Sequence, residues 1–469
     1  MTTVLAIDQG TSGTKAVVIA DGPILGLAEV PIRPQYLPGG AVEQDPQEML
    51  DSVLQAGREA VAQAGAAIDI VTLANQGESV LAWNPSTGEP LTPVIVWQDG
   101  RASEVCEQLR DQADEIGTRT GLVLDPYFSA PKQAWIRRHL TMLGVVTTSD
   151  TWLLNRLTGE FVTDVSTASR SLLTNLDTAD WDPHLVAAFG LEREPLPRIL
   201  ASDEIAGTTN AFGTDVPVGG LVVDQQAALL AEDCLLPGEA KCTFGTGAFL
   251  LANTGTVPHR SAAGLAASVA WRVGGQTTYC YDGQVYTAAS AVRWLEQLGL
   301  IGSAAELDDV AADDCEGVLA VPALAGLAAP WWRPDARASL TGMSLSTRAG
   351  HVVLAVLQGI AAQVAELGDL VASDLGTALH RLRVDGGLTR SRVLMQAVAN
   401  LMQAEVDVYP TAHATPLGAA ALARVAMQPG LELSAAITAW QPTMTYSPQW
   451  SSDRAADFRA RWRTAADAC

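Results

Sequence analysis

The first hundred residues alternate short apolar runs with turn-forming residues and one longer periodic segment. The run Thr3 to Asp8 is apolar up to its last residue, the turn-rich letters QGTSGT follow, and a second apolar run covers Ala16 to Ala20. Two such runs joined by Gly, Ser and Thr predict a β-hairpin. From Gln47 to Ala64 apolar residues recur at spacings of three and four, which predicts an amphipathic helix.

The same alternation of strand-like and helix-like segments continues along the chain and predicts an α/β architecture. The strand-like runs IVTLAN and SVLAW follow the first helix, and a helical segment is expected at Ser149 to Leu157. A second Gly-rich turn at Phe244 to Gly247 again lies between apolar runs, which indicates a duplicated plan. The segment CLLPGEAK, Cys234 to Lys241, combines Pro, Gly and charge. Together with the length of the chain, it favours two domains, residues 1–232 and 233–469.

Composition narrows the class of protein. With 48% hydrophobic residues, 17% charged residues and a net charge of -23, the chain is expected to be globular and to avoid nucleic acid. A nucleotide would therefore need a local site assisted by cations. The N-terminus lacks a basic segment followed by an apolar run, and no stretch stays apolar for about 18 residues, so we expect neither secretion nor a membrane span and place the protein in the cytoplasm.

The first turn, Asp8-Gln9-Gly10-Thr11-Ser12-Gly13-Thr14-Lys15, carries the chemistry of a phosphate site. Its glycines permit close approach of the backbone, while hydroxyls, N–H groups and Lys15 donate to phosphate oxygens. Asp8 is suited to hold a magnesium ion through water. The same letters also suit a plain hairpin turn, and they do not form the GxxxxGK[ST] pattern of a P-loop.

Two further glycine segments have similar chemistry but are weaker signals alone. Gly245-Thr246-Gly247 repeats the turn of the first half, and Val384-Asp385-Gly386-Gly387 ends an apolar run before a helix expected to begin near Ser391. This geometry places backbone against a nucleotide, although an ordinary strand-to-helix turn has the same letters.

Motifs stand in a fixed order over nearly the whole chain. They are IDQGTSGTKA, VEQDP, NQGES, VWQDGR, TGLVLDPYFSAPK, DTWLLNRLTGEFVTDVSTASR, DQQAAL, TFGTGAFLLANTG, PWWRPDARASLTGM, RVDGG and ATPLGAA. This set resembles the FGGY family of carbohydrate kinases, among which the glycerol kinases are the most similar. Its three glycine segments resemble the phosphate and adenosine signatures of the actin and hexokinase-like ATPase fold.

The resemblance implies a two-lobed α/β fold of duplicated ribonuclease H-like domains around a central cleft. It also implies ATP and Mg²⁺ as cofactors, a small polyol or sugar as substrate, and Asp224 as the general base that accepts the proton of the attacking hydroxyl. Asp8 is the metal residue by this resemblance. The residues that would bind ATP are Thr11, Ser12, Gly13, Thr14, Lys15, Gly245, Thr246, Gly247, Gly386 and Gly387. From the residues alone, Asp224 would equally be a helix N-cap. A homo-dimer and a homo-tetramer stay open.

The resemblance also outlines the acceptor pocket. The residues that would line it are Gly77, Glu78, Trp97, Tyr127, Asp224, Gln225 and Phe249. A carboxylate binds paired hydroxyls, and aromatic faces cover C–H edges and exclude water, although each aromatic alone equally suits core packing.

The clearest departure from the glycerol kinase pattern is Gly77, where those enzymes carry Arg. VWQDGR likewise keeps only Arg101 of two arginines. An alternative acceptor is therefore a ketose or a polyol of four or five carbons, of the xylulose, erythritol or arabitol type. A different class, a catalytically silent sugar-binding regulator, is disfavoured because binding alone does not require a base.

Overall fold

The computed structural model describes residues 2–20 and 22–469 and contains a large sheet in each half of the chain. Strands of the first half are β1 Val4–Gln9, β2 Gly13–Ile19, β3 Ile24–Pro31, β4 Gln35–Leu37, β5 Ala41–Gln44, β6 Ile70–Asn75, β7 Val80–Trp83, β8 Val94–Ile95, β9 Val145–Thr148, β10 Val162–Asp164, β11 Thr174–Asn175, β12 Asp180–Trp181, β13 Arg198–Leu200, β14 Ile205–Thr209, β15 Val216–Gly219 and β16 Val222–Val223. Its α-helices are α1 Pro46–Ala64, α2 Ser103–Gln108, α3 Ala113–Thr120, α4 Ser129–His139, α5 Ser149–Thr158, α6 Val165–Ser169, α7 Pro183–Ala188 and α8 Asp224–Ala231.

The second half has fewer strands and a long central helix. Its strands are β17 Ala240–Phe244, β18 Ala248–Gly255, β19 Ala266–Val273, β20 Gln276–Val285, β21 Leu319–Val321, β22 Ser339–Thr341, β23 Arg381–Asp385, β24 Glu405–Val408 and β25 Met444–Tyr446. Its α-helices are α9 Ala289–Gln297, α10 Leu307–Val310, α11 Ala349–Leu375, α12 Arg392–Met402, α13 Ala414–Met427, α14 Leu433–Ala436 and α15 Ser452–Asp467. Short 3₁₀ turns lie at Pro38–Gly40, Arg110–Gln112, Ala304–Glu306 and Gly387–Arg390.

The two large sheets repeat one plan. In the first, β1 pairs antiparallel with β2 and parallel with β6, and β16 extends the parallel part beside β6. In the second, β17 pairs antiparallel with β18 and parallel with β23, and β24 extends the parallel part. Parallel neighbours end at the same edge of a sheet, so each half presents the ends of its central strands to one side. The duplicated α/β plan predicted from the two Gly-rich turns is confirmed.

Local sequence explains the elements that border the cleft. The predicted helix at Gln47 to Ala64 is α1, which the Asp45 side chain caps by accepting from the Gln47 N–H at 2.8 Å and which Gly65 ends in the left-handed region. The predicted start near Ser391 is also confirmed, because Ser391 caps α12 and accepts from the Leu394 N–H at 3.2 Å.

Helices α8 and α13 lie between the two sheets. Alanines of both helices pack with the first sheet, as at Ala228 and Ala420 against Val4. Other faces of the same helices pack with Leu251 of β18. The helices cross closely, because a Cβ added at Gly418 would lie 1.8 Å from the Ala227 carbonyl oxygen. The C-terminal half therefore supplies a helix to the first sheet, while the boundary at residues 232 and 233 stays a prediction.

Helix α11 forms the core of the second half. It has the length and apolar composition of a membrane span, so the expectation that no stretch is apolar over about 18 residues is wrong here, but 89% of its most apolar window is buried inside the fold. Its apolar side chains pack against both β21 and the second sheet. This burial explains why α11 is apolar on all sides.

Candidate active site

Three aspartates lie where the parallel strands of the two sheets end. Asp8 is the penultimate residue of β1, Asp224 follows β16 directly as the first residue of α8, and Asp385 is the last residue of β23. They interact electrostatically: Asp8 acts on Asp224, and Asp385 acts on Asp8. The cleft between the halves therefore contains three carboxylates that interact electrostatically, here called the carboxylate cluster.

Burial dominates the protonation of this cluster. Loss of hydration raises the pKa of Asp8 to about 6, with Lys15 opposing the shift. Burial raises the pKa of Asp224 to about 7, the charge of Asp8 adds to it, and Lys241 opposes it. Burial also raises the pKa of Asp385, against which Lys241 and the Thr243 hydroxyl act.

Two lysines supply positive charge beside these carboxyl groups. Lys15 of β2 faces Asp8 in the hairpin register, pairs with Glu29 at 3.2 Å, and donates to the Ala412 carbonyl of the other half at 3.0 Å. Lys241 of β17 is fully buried and donates to Gln225 Oε1 at 2.5 Å and to Thr243 Oγ1 at 2.7 Å. Both lysines therefore stand at the contact between the halves.

The first hairpin turn divides its side chains between the cleft and the interior. Thr11 accepts from the Trp97 indole N–H at 2.8 Å and donates to Gln76 Oε1 at 3.0 Å, while Ser12 is exposed. Thr14 is buried, and its hydroxyl lies 2.6 Å from that of Ser52 on α1, so its side chain is engaged away from the cleft. The turn itself is tight, with Gly10 N–H donating to Gly13 O at 3.0 Å.

The other two glycine segments are brought together by the second sheet. Gly386 has φ +95°, and an added Cβ would lie 2.4 Å from the carbonyl oxygen of Phe244, the residue before Gly245. An added Cβ at Gly247 would lie 2.4 Å from the Val285 oxygen. Only glycine fits either position. Thr246 and Gly387 are exposed beside them, so this corner offers bare backbone to a ligand.

Three aromatic rings from different elements meet at the acceptor side of the cleft. The Trp97 ring centroid lies 5.4 Å from that of Tyr127 and 6.2 Å from that of Phe249, both in edge arrangements. Phe249 belongs to β18, so the second half contributes to this pocket. Tyr127 belongs to a loop fixed by Lys132, whose fully buried ammonium donates to the carbonyl groups of residues 126–128.

Glu78 interacts electrostatically with Tyr127 and is bound to an arginine. It is buried, has φ +47°, and accepts a short hydrogen bond from Arg170 Nε. Burial raises the pKa of Glu78 to about 7, and Arg170 opposes the shift. On the other side, Arg170 Nη2 lies 2.9 Å from Asp282 Oδ2 on β20.

Gly77 leaves space, and Arg101 does not enter it. Gly77 has φ +67°, and an added Cβ would meet only the Val223 side chain within 4 Å. Arg101 instead pairs with Asp99 and Glu43, each at 2.8 Å, and stacks on Trp135. Its guanidinium is therefore committed outside the pocket.

Sequence reasoning missed four residues of this cleft: Arg170, Asp282, Lys241 and Asp385. Lys241 was used as a marker of the domain boundary, and Asp385 was noted only as a neighbour of glycines. The signal available for both was a charged residue within an apolar strand, since such a residue is buried only with a partner. For Arg170 and Asp282 the pairing depends on the tertiary fold.

The geometry and the comparisons define the class. Two halves with one strand plan, meeting at a cleft lined by carboxylates and glycine turns, form the actin and hexokinase-like ATPase fold. Family models of the N-terminal and C-terminal domains of the FGGY carbohydrate kinases match residues 3–231 and 240–427. The chain belongs to the FGGY family of carbohydrate kinases.

Similar proteins include a glycerol kinase of Alkalilimnicola ehrlichii, 43% identical with 95% of each chain covered. Among solved structures, a Plasmodium falciparum glycerol kinase with ADP superposes with a TM-score of 0.93 at 30% identity, covering 100% of this chain and 98% of that one. A Brucella ovis xyloylose kinase superposes with a TM-score of 0.89 at 25% identity, covering 99% of each chain.

The raised pKa of Asp224 predicts a cost in stability. An unfolded Asp titrates near pH 4, whereas the folded pKa is about 7, so ionisation disfavours the folded state increasingly between those values and fully above pH 7. Asp224→Asn should therefore raise Tm at pH 8 by about 2 °C or more, and by less at pH 5.5. Calorimetry at both pH values measures this. The exposed Asp215→Asn is the control, and an unchanged or lower Tm of Asp224→Asn at pH 8 would contradict the prediction.

Proposed function

We propose that the protein is a kinase that transfers the γ-phosphate of ATP to a hydroxyl group of a small polyol, as a glycerol kinase does. One observation carries this proposal: Asp224 stands at the start of α8 with the acceptor-type pocket on one side and the carboxylate and glycine segments on the other. Relatives named glycerol kinases, about 40% identical over nearly the full chain, support it.

Asp224 is proposed as the general base. Its carboxylate accepts from the Gln225 N–H at 2.6 Å, and this hydrogen bond fixes one carboxylate oxygen at the first turn of the helix. A base with a pKa near the working pH accepts a hydroxyl proton more readily than an ordinary aspartate. Phosphoryl transfer depends chiefly on alignment and charge neutralisation, so one positioned carboxylate suffices for the proton.

The ATP residues are proposed from the two glycine corners. Gly245 to Gly247 and Gly386 to Gly387 would contact the nucleotide through backbone, while Thr11, Ser12, Gly13 and Lys15 would face its phosphates from the other half. For Thr14 only its backbone serves this role, because its hydroxyl pairs with Ser52. Lys15, which bridges to Ala412, lies where it would neutralise phosphate charge between the halves.

Magnesium fits the same place. Among residues 2–20 and 22–469, no three His, Cys, Asp or Glu side chains form a complete metal site. Mg²⁺ bound with ATP, however, keeps waters and phosphate oxygens and needs only one or two carboxylates. Asp8 is proposed to hold it, and Asp385, whose Oδ1 is buried without a hydrogen-bond partner, would accept from its waters. When bound, the ion would neutralise charge that develops on the phosphates.

The acceptor is proposed to lie between Glu78 and the three aromatic rings, with Gln225 as a further contact. The Lys241 ammonium occupies Gln225 Oε1, so the Gln225 amide NH₂ is the group that remains to bind an acceptor oxygen. The rings would cover the C–H edges and exclude water that would otherwise attack ATP. A silent regulator would gain nothing from three aspartates whose ionisation is made costly by loss of hydration. The cytoplasmic location stays a prediction, and the dimer and tetramer alternatives stay open.

The first test is Asp224→Asn. The side chain keeps its size but does not accept the proton, so kcat should fall by about 100-fold or more while nucleotide affinity changes less than threefold. A coupled assay of ADP formation with glycerol gives kcat, and calorimetric titration with an ATP analogue gives affinity. Retention of more than about a tenth of wild-type kcat would show that Asp224 is not the base.

A longer acceptor is the second candidate, and Gly77 favours it. The pocket wall at Gly77 carries no side chain, and the volume beyond its Cα meets only Val223. Arg101 does not refill this volume, because it is paired with Asp99 and Glu43. A polyol or ketose of four or five carbons would extend into it.

The acceptor panel decides between these candidates. We expect one of erythritol, the arabitols, xylulose or ribulose to exceed glycerol in kcat/KM, because added contacts fill the space at Gly77. Steady-state rates at saturating MgATP measure this for every compound. Glycerol leading the panel by tenfold or more would refute the larger acceptor and leave the polyol kinase itself intact.

A further inference from the structure

Arg170 joins three walls of the acceptor pocket. It follows α6 directly, its side chain is 3% exposed, and its Nε donates to Glu78 Oε1. Its Nη2 pairs with Asp282 of β20, and its guanidinium carbon lies 5.8 Å from the centroid of the Tyr127 ring. The arginine therefore contacts the carboxylate of the pocket, one of its aromatic rings and the opposite half of the protein.

Stability alone does not account for this arrangement. A buried ion triad loses so much hydration that well-packed apolar residues are often equally stabilising or better. Glu78 adds a further cost, because a non-glycine residue with φ +47° is strained. The cost of burying the ions and the cost of the left-handed backbone both fall on Glu78, which faces the proposed acceptor.

The backbone and Arg170 together fix Glu78. Gly77 and Glu78 are consecutive left-handed residues, and Ser79 N–H turns back to Gly77 O at 2.5 Å, so the chain directs Glu78 into the pocket. Arg170 then holds one carboxylate oxygen, Oε1, and lowers the cost of ionising the group. An ionised carboxylate only accepts hydrogen bonds, which matches hydroxyl donors of a polyol.

We propose that Arg170 is a positioning residue for the acceptor, acting through Glu78 and anchored by Asp282 of the other half. This inference rests on the proposed function. Arg170 would be the positively charged side chain of this pocket, in which position 77 is a glycine and contributes no side chain. Because Asp282 comes from β20, the pocket is complete only when both halves are together.

The test compares two buried arginines of the first half. Arg137 resembles Arg170 in burial and binds Glu194 at 2.6 and 2.7 Å, but it lies outside the pocket, so Arg137→Met is the matched control. Calorimetric titration with glycerol and with erythritol gives acceptor affinity without turnover. Arg170→Met should weaken both by about ten- to a hundredfold, with Arg170→Lys between it and wild type and the KM for ATP within twofold.

A double-mutant cycle separates positioning from folding. If Arg170 acts through Glu78, Arg170→Met made in a Glu78→Gln background should weaken the acceptor by less than about threefold more. Asp282→Asn, which keeps the side-chain size, should weaken it about three- to tenfold. Should Arg170→Met not fold, Arg170→Lys and Asp282→Asn decide the matter.

The outcomes are distinct. Additive effects of the Arg170 and Glu78 changes, or acceptor affinities of the Arg170 and Asp282 variants equal to those of wild type and Arg137→Met, would overturn the inference and leave the kinase function standing. A wild-type protein that binds neither polyol and forms no phosphorylated product with any acceptor of the panel would overturn both.

Discussion

Carboxylate charge withheld from water is the constraint on which the structure depends. Asp8, Asp224 and Asp385 stand at the ends of parallel strands of the two sheets, where they interact electrostatically, and burial raises the pKa of each. An uncompensated buried carboxylate is costly, so cations stand beside this group. Lys15 and Lys241 supply them, and each makes a hydrogen bond to the opposite half, which ties the neutralisation of the site to the contact between the halves.

The duplicated sheet explains why one cleft serves two ligands. Each half contributes a hairpin, a parallel strand pair and a following helix, and α8 and α13 pack between the sheets. The first half directs Glu78 and Trp97 to the acceptor side, while Phe249 of the second half closes that side. This division of the cleft between the two halves agrees with membership in the FGGY family and with the proposed transfer from ATP to a polyol. In this cleft Glu78 has a left-handed backbone conformation, and Gly386 takes φ +95° at a position that only glycine fits.

Structural features that depend on residues close together in the sequence could be predicted from the sequence. Periodicity, turn residues and caps predict the hairpin around Asp8, helix α1 and the start of α12 at Ser391. The placement of Asp224 came from resemblance, since an aspartate before an apolar run is more often a simple cap. The pairing of Arg170 with Asp282 could not be predicted, because the two residues lie 112 positions apart in the sequence and only the assembled sheets bring them together. The buried environment of Lys241 was likewise hidden by the turn-forming residues before it.

The reaction proposed for this cleft is the transfer of phosphate from ATP to a polyol hydroxyl. Phosphorus NMR of the protein with MgATP and glycerol, repeated with a four-carbon and a five-carbon acceptor, tests it most directly because it identifies the product rather than the loss of ATP. We expect a phosphomonoester resonance that grows with that of ADP in equal amount and requires an acceptor. ATP that stays intact with every acceptor, or that yields only inorganic phosphate, would show that the protein does not catalyse this transfer.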